Sequence, residues 1–231
     1  MGGIIESGGL ALERVARRVE IAARNVSNMT TPGYKSQQSF NSFLLDDDGS
    51  RIQSAVGHSA DFSAGSIIAS QNPFDLAIAG AGFFVVRSGA DLFYTRNGQF
   101  ARSPDGLLVS PDGMILQSTS GDVSIGVDAV ISADGMVLDE GEPRSRVSIM
   151  DFADKAVLQP VGNTLFTAPS DAAREVDDPH ILQGKLEASN VSTAGEMVAM
   201  MAALRGAETG QRLVQLYDDL MAKALDAFGR N

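Results

Sequence analysis

The side chains best equipped for chemistry are few and far apart. His58 and His180 are the only histidines, and each stands alone among polar residues. A metal site needs several convergent donors and a general base needs an oriented partner, so both read as solvated loop side chains. Gly80-Ala81-Gly82 begins like a dinucleotide-binding loop, but Val85 holds the third glycine position and no helical pattern follows. It reads as a tight connection between strands. Asp46-Asp47-Asp48-Gly49 lacks the spacing of a calcium loop and reads as an acidic turn. Asp177-Asp178 and Asp218-Asp219 fall on exposed loop and helix faces. There is no nucleophile elbow, P-loop or zincin helix. The residues point to no catalytic centre, no cofactor, no metal and no small-molecule substrate.

The informative spacing lies in the elements at the two ends. Ile5, Leu12, Val19 and Val26 recur every seven residues, and Val15, Ala22 and Met29 form a second row, with Gly8 its weak member. Arg14, Arg17, Arg18, Glu20 and Arg24 fall outside both rows. A period of about 3.5 with charges off the seam predicts a helix built to lie along another helix. The closing stretch repeats the device. Ala203, Ala207, Gly210, Val214, Tyr217, Met221, Ala224 and Phe228 alternate by four and three, with Val198 and Met201 toward the start. Leu213, Leu216 and Leu220 widen that face. Apolar residues at helical spacing more often pack on their own chain, and two such helices can pair as a simple hairpin. Heptad spacing, placement at both ends and a last helix longer than its body favour packing between subunits.

Composition excludes several classes. The chain has 231 residues, 44% of them hydrophobic, enough for a sizeable core. Its net charge is −11 and no basic tract exists, which argues against nucleic acid. There is no cysteine, so disulfides and thiolate metal sites are excluded. No cleavable secretion signal and no membrane span are visible.

Four segments follow in order. Residues 1–30 form the first helix, ended by Thr30-Thr31-Pro32-Gly33, where proline removes a donor and glycine permits a sharp turn. Residues 31–71 read as an extended arm with one or two edge strands. Residues 72–184 form a β domain. Its turn pairs Asn97-Gly98, Asp105-Gly106, Asp112-Gly113, Gly121-Asp122, Asp134-Gly135 and Glu140-Gly141 predict an antiparallel meander. Residues 169–179 read as a surface loop. Residues 185–231 form the closing segment, its helix starting near Thr193 with Thr193 and Glu196 as a capping box and Asn190 and Ser192 as rival caps. Gly206 and Gly210 mark either close helix approach or tolerated weak spots. The fold class is α+β: long N- and C-terminal helices pairing in a coiled-coil-like layer, with a central antiparallel all-β domain.

Three blocks carry a resemblance. Residues 23–35 include Asn25, Asn28, Thr31, Gly33, Tyr34 and Lys35. The second block runs through Asn72, Gly82, Phe83, Phe84, Thr95, Arg96, Gly98 and Phe100. The third holds Glu187, Ser189, Asn190, Val191, Glu196 and Met197. In this order they resemble the signatures of the flagellar rod and hook protein family. Arg24 stands where the family commonly has asparagine, and Ala207 where an aromatic is usual. The resemblance implies a structural subunit of the bacterial flagellar basal body, not an enzyme. It also implies export through the flagellar type III apparatus into the periplasm without a cleaved signal. There the subunit would polymerise through terminal helices with copies of itself and neighbouring rod proteins, forming the axial shaft that transmits torque. Only thirty-six residues separate Lys35 from Asn72. The hook member's extra domains have no room, and the distal-rod member has a longer segment there, so the chain looks most like the proximal-rod member. The distal-rod member is the alternative, and a secreted β-rich adhesin or enzyme is a further one.

Overall fold

The computed structural model describes residues 3–45 and 52–228. They divide into two units.

The first unit joins residues 1–27, 37–59 and 192–231. It holds helix α1 (Gly3–Ser27), strands β1 (Gln37–Leu45) and β2 (Ile52–Ala60) paired as a two-stranded sheet, and helix α2 (Thr193–Phe228). The two helices pack along one another, and α1 also contacts β1. Asn25 and Glu196 meet toward one end and Val15 and Gly206 toward the other, so the helices run antiparallel. The N-cap of α2 is Ser192, whose Oγ accepts the Gly195 N–H at 3.3 Å. The Glu196 carboxylate accepts from Asn25 Nδ2 through Oε1 at 2.8 Å.

The second unit joins residues 28–36 and 60–191. Its strands are β3 (Ile67–Ala69), β4 (Leu76–Ile78), β5 (Phe83–Ser88), β6 (Asp91–Thr95), β7 (Ala101–Arg102), β8 (Leu108–Val109), β9 (Ile115–Ser118), β10 (Gly121–Asp122), β11 (Val130–Ile131), β12 (Met136–Asp139), β13 (Glu142–Arg146), β14 (Ile149–Phe152), β15 (Gln159–Pro160), β16 (Leu165–Thr167), β17 (Ala173–Glu175), β18 (Ile181–Gln183) and β19 (Lys185–Glu187). These strands pair antiparallel. β5 is the axis of the main sheet. β6 covers one edge, while β9 and β14 share the other. β11, β12 and β13 form a separate sheet, and β18 with β4 and β19 with β3 form two short ones.

The turns explain the meander. Ser103, Ser110 and Ser132 each begin a Ser-x-Asp-Gly segment. In each, the glycine N–H returns to the serine carbonyl at 2.9 Å and the glycine takes positive φ. This is the type I turn plus left-handed residue of a longer hairpin loop. Glu140 and Gly141 both take positive φ and close β12 onto β13 as a two-residue turn. Asn97-Gly98 is not a hairpin turn. The Gly98 carbonyl accepts the Leu76 N–H at 2.9 Å, and an added Cβ would meet the Leu76 oxygen. The glycine there serves close backbone approach. Residues 169–179 are also more than a surface loop, because β17 pairs with β14 and Val176 packs on the core.

Two clusters fill this unit. Leu76, Phe84, Val86, Leu116, Val137 and Ile149 belong to the larger. Phe83, Tyr94, Phe152 and Phe166 anchor the smaller, in edge-to-face contacts such as Tyr94–Phe152 at 4.8 Å. β5 feeds both, with Phe84 and Val86 on one face and Phe83 and Val85 on the other, as strand alternation requires.

Candidate assembly site

In the first unit the α1 stripe is partly described. Ala22 is buried, Val15, Val19 and Val26 are half-buried, and the side chains of Ile5 and Leu12 lie outside the described residues. Met29 is past the end of α1, in the second unit, and 43% exposed. Ile21 and Asn25 are buried on α1, and the heptad reading missed both. Two consecutive positions, Ile21 and Ala22, face inward because α1 contacts both α2 and β1.

On α2 the covered stripe is Glu196, Met200, Ala203, Ala207 and Gly210, spaced four and three alternately. Val198, Met201, Leu216 and Leu220 are more than half exposed. The side chains of Leu213, Val214, Tyr217, Asp218, Met221, Ala224 and Phe228 lie outside the described residues, as do those of Asp46–Asp48 and His58. A Cβ at Gly206 would sit 3.4 Å from Val15 Cγ2, an ordinary contact, so the helices approach closely without requiring glycine there.

Asn25 organises this unit. It is fully buried, donates through Nδ2 to the Gln37 carbonyl at 2.9 Å and to Glu196 Oε1 at 2.8 Å, and accepts the Gln37 N–H at 2.9 Å. One amide thus fixes α1, the start of β1 and the first turn of α2. A groove of about 330 Å³ opens nearby, lined by Arg18, Ile21, Ala22, Gln37, Gln38, Ser39, Glu196, Ala199, Ala202 and Ala203.

In the second unit the three sequence blocks converge on Glu187. Its Oε1 accepts from Lys35 Nζ at 2.6 Å and from the Gly65 N–H at 2.8 Å, and its Oε2 from Arg96 Nη1 at 3.1 Å. All three side chains are at most 6% exposed. Arg96 also donates to the carbonyls of Ile78 and Gly80 and lies over the Phe83 ring. Burial lowers the pKa of both Lys35 and Arg96, with the Glu187 carboxylate opposing that shift.

Backbone contacts complete the clasp. Gly33 takes φ +69° and donates to the Glu187 carbonyl at 2.7 Å. A Cβ on Gly33 would fall 2.2 Å from the Arg96 carbonyl carbon. Tyr34 is fully buried. Asn190 accepts from the Ser36 N–H at 2.7 Å and donates to the carbonyls of Asp61 and Ser63. Asn28 accepts from Thr31, and Ser189 Oγ accepts the Val191 N–H. Farther off, Asn72 bridges Asp75 and the Phe100 carbonyl, and Thr95 donates to the Thr164 carbonyl. Gly82 abuts Ile149, and Phe100 stacks edge-on against Phe84. Met197 is 56% exposed. His180 stands at the start of β18, where its carbonyl accepts the Ala79 N–H. Among the described residues no His, Asp and Glu side chains group as a metal site, and no helix is long and apolar enough to cross a membrane.

The arrangement holds and exposes surfaces, and comparisons with known proteins agree in kind. The family model of the flagellar hook protein FlgE/F/G D1 domain matches residues 77–139, and that of the flagellar basal body rod FlgEFG protein C-terminal region matches residues 182–227. Over 236 residues the chain is 27% identical to the flagellar basal-body rod protein FlgF of Caulobacter vibrioides, covering 96% of each. It is 28% identical over 250 residues to FlgG of the same organism, covering 93% of this chain and 94% of that one. To FlgG of Bacillus subtilis it is 25% identical over 259 residues, covering 95% and 97%.

Proposed function

The chain belongs to the flagellar basal-body rod family, and from that premise we propose that it is the proximal-rod subunit, joined to its neighbours through α1 and α2. It is a structural subunit of the basal body rather than an enzyme, and it assembles with other rod proteins. The proximal position rests on the short arm between Lys35 and Asn72, since the likeness to FlgF and to FlgG is similar in identity and extent. Export by the flagellar type III apparatus and a periplasmic setting follow from the family resemblance.

One observation carries the assembly reading. Met197, Met201 and Leu204 form an apolar row on α2, each more than half exposed, off the stripe that packs on α1. Burial is worth roughly 25 cal/mol per Å² of apolar surface. In a lone chain that row gains nothing. Between subunits it offsets the freedom lost on association. The helices would then form a coiled-coil-like layer, and the clasp around Glu187 would keep the β domain rigid as torque passes through it. Immunogold labelling of isolated basal bodies tests the position. Label on the cell-proximal half of the rod is expected, and label confined to the distal half would overturn that placement.

A further inference from the structure

We propose that the groove on the first unit receives the exposed Met197–Met201–Leu204 row of a second copy of this chain. The proposal rests on the rod reading and names the contact within it.

The apolar part of the groove lining is made by Ile21 and Ala22 of α1 and Ala199, Ala202 and Ala203 of α2. Alanines leave holes that long apolar side chains such as Met and Leu fill. Groove and row occupy the same stretch of one helix. At 100° per residue, Ala199 and Leu204 point about 140° apart, so the holes line one flank of α2 and the knobs line the other. A surface that complements a different surface of its own copy makes a heterologous contact, and such contacts propagate into open helical polymers wherever the rotation does not close a ring. That is why a second copy is the occupant.

The charges agree. Among the described residues Arg18, at the groove, has no hydrogen-bond or ion-pair partner. The apolar row continues at its own four-and-three spacing to Glu208, an exposed carboxylate that likewise has no partner among the described residues. With the Met201 and Leu204 side chains seated on the alanines, Glu208 of one copy is within reach of Arg18 of the next.

The absence of cysteine makes the test clean. Ala199→Cys and Leu204→Cys are introduced together and basal bodies are isolated under mild oxidation. The two positions rise roughly 7.5 Å apart along one helix on different flanks, so one chain cannot bridge them. A ladder of disulfide-linked multimers is expected from the pair and from neither single variant. Motile cells whose rods give no ladder, or a link to a different rod protein only, would overturn the proposal. If the cysteine pair does not assemble, charge reversal decides. Arg18→Glu and Glu208→Arg are each expected to lower swimming about tenfold, and the double variant to restore it. A double variant no better than either single contradicts the contact. Loss of the chain from isolated rods of the parent strain would instead sink the rod reading itself.

Discussion

Lys35 Nζ donates to Glu187 Oε1 at 2.6 Å across 152 residues of sequence, both side chains almost wholly removed from solvent. The pair joins the segment that follows α1 to the segment that precedes α2, and Arg96 of the β domain closes it from the other carboxylate oxygen. One carboxylate faces two cations in a dry site. Removing the carboxylate therefore differs from removing either cation.

Glu187→Ala leaves two buried cations unpaired and is expected to cost about 3–5 kcal/mol. Lys35→Met leaves the carboxylate with Arg96 and the Gly65 N–H, and removes a cation that burial already disfavours. It is expected to cost about 1–2 kcal/mol. Urea denaturation followed by circular dichroism reads both. Equal losses would mean that Glu187 is not the hub.

Gly33 and Gly89 share a positive φ, +69° and +61°, but not an environment. A Cβ at Gly33 collides with the Arg96 and Asn97 backbone, whereas one at Gly89 meets nothing within 4 Å. Gly33→Ala should lose about 2–5 kcal/mol, conformational strain plus collision. Gly89→Ala should lose only about 1 kcal/mol from its backbone angle. Melting temperatures that drop equally would refute the close approach.

Much of this was legible because local chemistry announced it. Pro32-Gly33 marks the end of α1, and the Asp-Gly pairs mark hairpins whose turns need one left-handed residue. Asn97-Gly98 misled because a glycine demanded by a neighbouring backbone looks the same in sequence as one demanded by φ. The heptad rows located the helix faces but not Ile21 or Asn25, since β1, the next element in the chain, covers a second face of α1. Nothing in the spacing of Lys35, Arg96 and Glu187 says that they meet. Each stood in a block that carried the family resemblance, and only the fold brings the blocks to one carboxylate.

Asp122 supplies a pH test. Hydrogen bonds from Arg87, then Gln117, hold its carboxyl below the usual value of 3.8. A lowered folded pKa means the unfolded chain takes up protons first as pH falls. The stabilisation is present above pH 3.8 and is lost as pH drops through the folded value. Asp122→Asn is therefore expected to be less stable than the parent at neutral pH, with the gap closing below about pH 4. Denaturation series at several pH values check this. A gap that persists unchanged in acid would mean that packing, not charge, holds the Arg87–Asp122 contact.

The account turns on whether the exposed apolar row of α2 becomes buried between subunits. Met201 is 54% exposed in the single chain, so Met201→Glu should leave the melting of the purified subunit within about 0.5 kcal/mol of the parent. In the rod the same carboxylate would be buried without a partner, at a cost of several kcal/mol in every copy. The decisive measurement is the yield of rods in basal bodies isolated from cells that carry only Met201→Glu. The account predicts immotile cells without complete rods. Normal rods and normal swimming would contradict it.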